Sequence, residues 1–223
     1  MEKLNKLAAK ILARSIKQIL KKKEYLILGL AGGRSLFGFL KVLSRETEIP
    51  WKKIHFFLAD ERIVPVSSKE SNFRMIKGAL FDRLASKKLL PKKNIHKFAM
   101  NKKPCFGLFD YEKELKKYGN FYDILVLSSG EDGHIASLFP KHDSIKNNSE
   151  CYLIVKNSPK PPEKRMSVSR KMILRSKIVL LFFIGEAKKT AYKKFLEKGN
   201  GFFVCPAKLT KRIKELYVLT SHK

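Results

Sequence analysis

Apolar residues along this chain fall into two patterns. Apolar runs at 25–30, 54–59, 95–98, 122–127, 151–155, 178–183 and 217–220 predict strands, several too continuously apolar to keep one face in solvent. Between these runs apolar residues recur at helical spacing. Leu4, Leu7, Ala8, Ile11, Leu12, Ile16, Ile19 and Leu20 trace one face of an opening helix. Residues 35–44, 72–84, 111–118 and 186–196 predict further helices. Strands alternating with helices predict an α/β fold: a doubly wound, mainly parallel, Rossmann-like sheet with helices on both faces. Residues 156–163, with Pro159, Pro161 and Pro162, read as a stiff loop and not as a linker, so 1–223 form a single domain.

Composition narrows the classes. A length of 223 residues and a hydrophobic content of 44% suit one full-sized core and argue against disorder. No apolar run approaches the roughly 18 residues of a membrane span. The first 23 residues are apolar at helical spacing, not in one block, and read as part of the fold. Cys105, Cys151 and Cys205 are odd in number and far apart, which suggests a reducing compartment, a cytoplasmic location and no metal site. The formal charge of +28 is carried mostly by lysines scattered over helices and loops. Neither an aromatic-interleaved basic strand nor an arginine-rich tail is present, so no specific nucleic-acid partner is expected. A drift of the surface toward lysine accounts for the charge, and a basic surface would also steer an anionic small substrate inward.

Four stretches carry candidate chemistry. The apolar run at 122–127 ends in Ser128-Ser129-Gly130-Glu131-Asp132-Gly133-His134, a polar turn closed by Ile135 to Pro140. A carboxylate and an imidazole two residues apart, beyond the carboxyl end of a strand, suit proton transfer near neutral pH. Ala31-Gly32-Gly33-Arg34-Ser35 follows the first strand and opens a helix. Glycine amides and a helix N-terminus there favour an anion, and Ser35 is placed to cap the helix or to donate to a phosphate. Asp60-Glu61-Arg62 with Pro65, then Ser71-Asn72, ends the second strand; it is either an anion-binding corner or an ion-paired surface turn. Lys160-Pro-Pro-Glu-Lys-Arg165 read alone is a solvated basic loop, stiffened by its prolines. His55 and His96 fall in apolar runs and His142 and His222 in loop or tail, with no zinc-ligand spacing among them.

Taken in order, these stretches resemble the glucosamine-6-phosphate isomerase/6-phosphogluconolactonase family, and within it the lactonases. Those show an S-G-G-S-T-P-like loop, D-E-R-x-V-P with a downstream S-N, G-x-G-x-D-G-H-x-A-S-L-F-P and K-P-P-x-x-R. The resemblance implies hydrolysis of 6-phosphoglucono-δ-lactone, with His134 as general base and Asp132 either orienting the imidazole or shaping the turn. It implies a phosphate site from Gly32, Gly33, Arg34, Ser35, Arg62, Lys160 and Arg165, with Asp60 contacting sugar hydroxyls or ordering Arg62, and Glu61 structural. Backbone amides of the glycine turns are the expected oxyanion donors. No metal or organic cofactor is implied, because a lactone is already an activated ester. The expected partner is a small phosphosugar lactone, handled by a monomer or homodimer away from membranes. The isomerase branch carries G-F-N-E-P-like residues after the D-G-H turn, whereas Ala136-Ser-Leu-Phe-Pro140 follows here. Three positions depart from the lactonase pattern: Arg34 and Leu36 in the glycine loop, and Ser128 at the usual first glycine of the turn.

Overall fold

A computed structural model describes residues 1–99, 104–199 and 201–222, with backbone alone at 104–106. The strands in chain order are β1 (Leu26–Leu30), β2 (Ile54–Leu58), β3 (Asp60–Arg62), β4 (Ile95–His96), β5 (Ile124–Ser128), β6 (Tyr152–Val155), β7 (Arg165–Val168), β8 (Ile178–Phe183) and β9 (Glu215–Thr220). The helices are α1 (Glu2–Leu20), α2 (Arg34–Leu43), α3 (Asn72–Ile76), α4 (Asp82–Ser86), α5 (Pro104–Lys116), α6 (Asp143–Lys146), α7 (Arg170–Leu174) and α8 (Lys189–Leu196). A π-helical segment, Lys77–Phe81, joins α3 to α4.

Six strands form a wholly parallel sheet in the order β4-β2-β1-β5-β8-β9. Every residue of β1 and β8 is buried, which is why those segments carry no polar face. Chain order reverses between β1 and β5, the switch point beyond whose carboxyl ends such sheets bind ligands. At the opposite, amino end of these strands the Asp123 carboxylate is fully buried. It accepts from the Ile27 amide (3.0 Å) and pairs with Lys23 (2.7 Å) and Lys177 (3.0 Å).

Three expectations need correction. The run at 151–155 is not in the parallel sheet: as β6 it joins a separate three-stranded antiparallel sheet, β3-β7-β6. Asp60–Arg62 and Arg165–Val168, read as turn and loop, are strands of that sheet. Their polar residues hide the strand signal, and the pairing is long-range, Asp60 opposite Ser167 and Arg62 opposite Arg165. In α1 the inward face is Ala8, Ala9, Leu12, Ser15 and Ile16, while Leu7 is 51% exposed.

His55 and His96 form a pair at the β2–β4 edge, with His55 Nδ1 3.0 Å from His96 Nε2. His96 stacks on Phe57 (centroids 4.1 Å apart) and faces Glu114 (3.3 Å). Burial, then the neighbouring His55, pushes the His96 imidazole down to about 4; burial and Lys93 lower that of His55. Both rings are therefore neutral when folded, one donating to the other. Unfolded, each takes a proton below its ordinary value of about 6.5, so the pair's contribution is complete above that pH and is lost on acidification toward 4. His96→Gln is expected to flatten the fall in stability between pH 6.5 and 4 by roughly 2–3 kcal/mol, read from urea melts across that range. Parallel pH dependences for the two proteins would refute this account.

Candidate active site

The site forms where the parallel strands end. After β5 the chain doubles back: Ser129 bridges Ile135, the Gly130 amide donates to the His134 carbonyl (2.7 Å), and the Gly133 amide donates to the Gly130 carbonyl (3.2 Å). The turn leaves no room at Gly130, where a Cβ would stand 2.0 Å from His134 Nδ1. Asp132 Oδ1 accepts from the His134 amide (3.1 Å) and lies 2.6 Å from His134 Nδ1. Burial by itself would raise the Asp132 carboxyl; the hydrogen bonds and charge of His134 outweigh it and hold the group well below the usual carboxylate range. An ionised Asp132 fixes the tautomer that carries its proton on Nδ1. Nε2 then has a bare lone pair and no protein partner among the described residues. Beneath the turn, the Gly133 carbonyl accepts from the Ala207 amide (3.0 Å), and Cys205 Sγ lies where a side chain at Gly133 would go.

The facing wall comes from the antiparallel sheet. Asp60 and Glu61 are both nearly inaccessible. Glu61 accepts from the amides of Arg62, Asn72 and Phe73 and from the Ser71 hydroxyl, so it ties β3 to the start of α3. Asn72 Nδ2 donates to the Asp60 carbonyl (2.9 Å), and Asn72 Oδ1 lies only 1.9 Å from where a Cβ on Gly32 would stand. That close approach is what the first glycine of the Gly32-Gly33 pair permits. The amides of Gly32 and Gly33 donate no hydrogen bond among the described residues, so both stay available as donors at the head of α2.

A cleft of about 790 Å³ opens between these walls, and Gly32, Gly33, Arg34, Ser35, Asp60, Arg62, His134, Lys160 and Arg165 all line it. Asp132 stands behind His134, bonded to it. Several local expectations change. Ser35 does not cap α2; Gly33 is the N-cap residue, and the Ser35 hydroxyl donates to the Ile184 carbonyl (3.3 Å). Asp60 does not order Arg62 through a direct bond: its Oδ2 accepts from the Ser137 hydroxyl (3.0 Å), while Arg62 Nη1 donates to the Glu70 carbonyl (2.7 Å). Arg62 Nε is buried without a partner among the described residues. The amides of Gly130 and Gly133 are consumed within their own turn, so those two are not oxyanion donors.

Arg165, only 3% exposed, donates to the carbonyls of Lys160, Pro161 and Pro162 and thereby folds the proline loop against β7. Burial lowers its pKa, partly opposed by the charge of Asp60. Lys160 reaches across the mouth to Glu131, 2.5 Å away. Two cleft-lining cations, Lys69 and Lys188, escaped the sequence reading. Lys188, just beyond β8, lines the cleft, and burial followed by the charge of Lys160 lowers its pKa. The signal available for it was Gly185 directly after an apolar strand, the same glycine-after-strand pattern as Gly32.

Comparison with known proteins now decides the family. The family model described as glucosamine-6-phosphate isomerases/6-phosphogluconolactonase matches residues 1–218. The chain belongs to this family. Among its relatives, the 6-phosphogluconolactonase of Borreliella burgdorferi is 37% identical over 203 residues, covering 91% of this chain and 86% of that one. The 6-phosphogluconolactonase of Thermotoga maritima is 33% identical over 173 residues, covering 78% and 76%. The crystal structure of a Thermotoga maritima 6-phosphogluconolactonase superposes with a TM-score of 0.85 at 27% identity, over 97% of this chain and 94% of that one. The departures from the lactonase pattern are mild within this family fold. Ser128 is the last residue of β5, in extended backbone opposite Phe182, so no glycine is required there. Leu36 is buried in the core, and Arg34 is exposed at the first turn of α2.

The packing of Gly32 against Asn72 has a measurable consequence. Gly32→Ala is expected to destabilise the fold by about 1–3 kcal/mol, because Asn72 must give up its place and its bond to Asp60. Gly78→Ala, where a Cβ meets nothing within 4 Å, is expected to be neutral or stabilising by up to about 1 kcal/mol. Thermal melts of the two variants check the contrast; equal shifts would show that the contact has no energetic weight.

Proposed function

We propose that the chain hydrolyses 6-phosphoglucono-δ-lactone to 6-phosphogluconate, using the cleft at the switch point. The observation that carries this reading is His134, held by Asp132 at 2.6 Å, facing a cleft whose other walls supply Arg62, Lys160, Arg165 and Lys188. An imidazole oriented through Nδ1, opposite a cationic wall, suits attack by water on a phosphorylated, uncharged ester. Lactonase-named relatives above 30% identity support the same substrate class. The isomerase branch finds less support: Ser137, Leu138 and Phe139, which follow the turn, are all fully buried, and none is a carboxylate.

In this reading the phosphate dianion lies against the free amides of Gly32 and Gly33 at the head of α2, with the cleft cations around it. Each charge-assisted hydrogen bond contributes roughly 1.5–3 kcal/mol. Anchoring the phosphate places the ring carbonyl beside His134. His134 Nε2 takes a proton from water as its oxygen adds to the carbonyl carbon. The tetrahedral adduct then collapses, the ring C–O bond breaks, and the imidazolium returns the proton to the departing hydroxyl oxygen. Asp132 stabilises the imidazolium between those two steps. Arg34 and Ser35, at the rim beside the free amides, add to the phosphate wall, and the cleft-lining Asp60 meets sugar hydroxyls.

Wild-type protein is expected to accelerate hydrolysis of freshly generated lactone above its spontaneous rate, and His134→Ala to lose roughly 10²–10⁴-fold in kcat while keeping its circular dichroism spectrum. An unaccelerated wild type would overturn the reading; a fully active His134→Ala would remove the general base. Because the wall is cationic, kcat/KM is also expected to fall as ionic strength rises, with kcat little changed.

A further inference from the structure

The two halves of the site come from different sheets. His134 follows β5 of the parallel sheet, whereas Asp60, Arg62 and Arg165 lie on β3 and β7 of the antiparallel one. Most hydrogen bonds of the His134 turn are internal, Gly130 to His134, Gly133 to Gly130 and Leu138 to Ile135, and the one from beneath, Ala207 to the Gly133 carbonyl, comes from neither sheet. They define its form but not its place relative to the facing wall. Ile135, Leu138 and Phe139 are fully buried, yet apolar contact is non-directional and leaves the angle of the turn open.

Ser137 supplies the missing direction. Its hydroxyl donates to Asp60 Oδ2 (3.0 Å), and its amide donates to Ser167 Oγ (3.0 Å). Asp60 and Ser167 are directly opposed partners of the β3–β7 ladder, so one residue grips both members of a single rung. Ser137 and Ser167 are wholly buried and Asp60 is 4% exposed, which keeps water from competing for these bonds. The Ser167 hydroxyl passes its own proton on to the Val168 carbonyl (3.0 Å), which leaves its lone pairs for the Ser137 amide. Ala136, between His134 and Ser137, has φ +49. A non-glycine residue held in that region marks a backbone whose position is imposed by its surroundings.

We infer that Ser137 is a positioning residue that sets the distance and angle between the His134 base and the phosphate-binding wall by docking the turn on the Asp60–Ser167 rung. This rests on the hydrolase reading above. A displacement of about 1 Å at the reacting centre lowers rate by up to roughly 10²-fold. The phosphate wall, built on other elements, keeps its own geometry when the dock is lost.

The test uses Ser137→Ala together with the isosteric pair Ser137→Thr and Ser137→Val, which separates the hydroxyl from side-chain volume. Expected for Ala and Val are a kcat lowered about 10–100-fold, a KM within about threefold of wild type, and an unchanged affinity for inorganic phosphate by calorimetry. Ser137→Thr is expected to recover most of the kcat that Ser137→Val lacks. Equal kcat for Thr and Val, or a parallel fall of kcat, phosphate affinity and melting temperature in Ala, would overturn the inference in favour of simple packing. Amide hydrogen exchange supplies a readout that needs no turnover. The amides of residues 130–138 should exchange faster in Ser137→Ala while those of β5 and β8 do not, and unchanged protection would also overturn the inference. A wild type without lactonase activity would defeat the hydrolase reading by itself, and the exchange result would still decide whether the dock exists.

Discussion

Everything at this site depends on how the backbone of Leu58 is satisfied. Leu58 is the last residue of β2, where the chain leaves the parallel sheet and enters the antiparallel one two residues later. Buried amides and carbonyls at such a crossing need partners other than a continuing ladder. The Leu58 amide donates to the Tyr111 hydroxyl (2.6 Å), and its carbonyl lies 3.2 Å from the Tyr122 hydroxyl and 3.4 Å from that of Tyr152, one of which donates to it while the other donates to its fellow phenol. These phenols come from α5, the edge of β5 and β6, so three separate elements converge on one peptide. Tyr122 and Tyr152 also share a hydrogen bond, and Tyr111 donates onward to the His96 carbonyl (3.1 Å). Burial drives all three phenols far above their ordinary range, which keeps them neutral donors. With Leu58 fixed, Asp60 leaves the crossing in one direction and meets Ser137.

The electrostatics of the cleft are unbalanced by the same architecture. Lys188 is pressed toward Lys160 while partly desolvated, Arg62 holds an Nε unpartnered among the described residues, and Arg165 has most of its guanidinium committed to backbone carbonyls. Of these, Lys160 meets a carboxylate at close range, that of the exposed Glu131 (2.5 Å), and Arg62 lies 3.7 Å from Glu70. Exposed pairs of this kind contribute little and exchange readily. A dianion entering the cleft would relieve repulsion among cations that the fold itself has forced together.

How much of this was legible depended on whether the deciding contact was local. The buried strands announced themselves as apolar runs because no face of them meets water, and the D-G-H turn was legible because its chemistry lies within three consecutive residues. Asp60–Arg62 and Arg165–Val168 were not readable as strands: their side chains are polar, and they are strands only through each other, about a hundred residues apart. Lys188 was hidden among many lysines, and its one signal, Gly185 after an apolar strand, does not by itself tell a desolvated lysine from a solvated one. The hydrogen-bond partners of Asp60 and Ser35 were not readable for the same reason, Ser137 and Ile184 being remote in sequence. Gly32 stood out as a glycine after a strand, but its tightest constraint, the side chain of Asn72, is equally remote.

The support of the His134 turn from below bears on the order of assembly. The Gly133 carbonyl is closed by the Ala207 amide, in a segment roughly seventy residues downstream that also carries Cys205. Contacts of such large sequence separation form late, because loop closure must be achieved before they contribute. During synthesis the amino-terminal strands and the glycine loop can pair before the residues that brace the turn have emerged. A nascent chain halted before Cys205 can thus hold most of the parallel sheet and the glycine loop while its His134 turn is still unbraced.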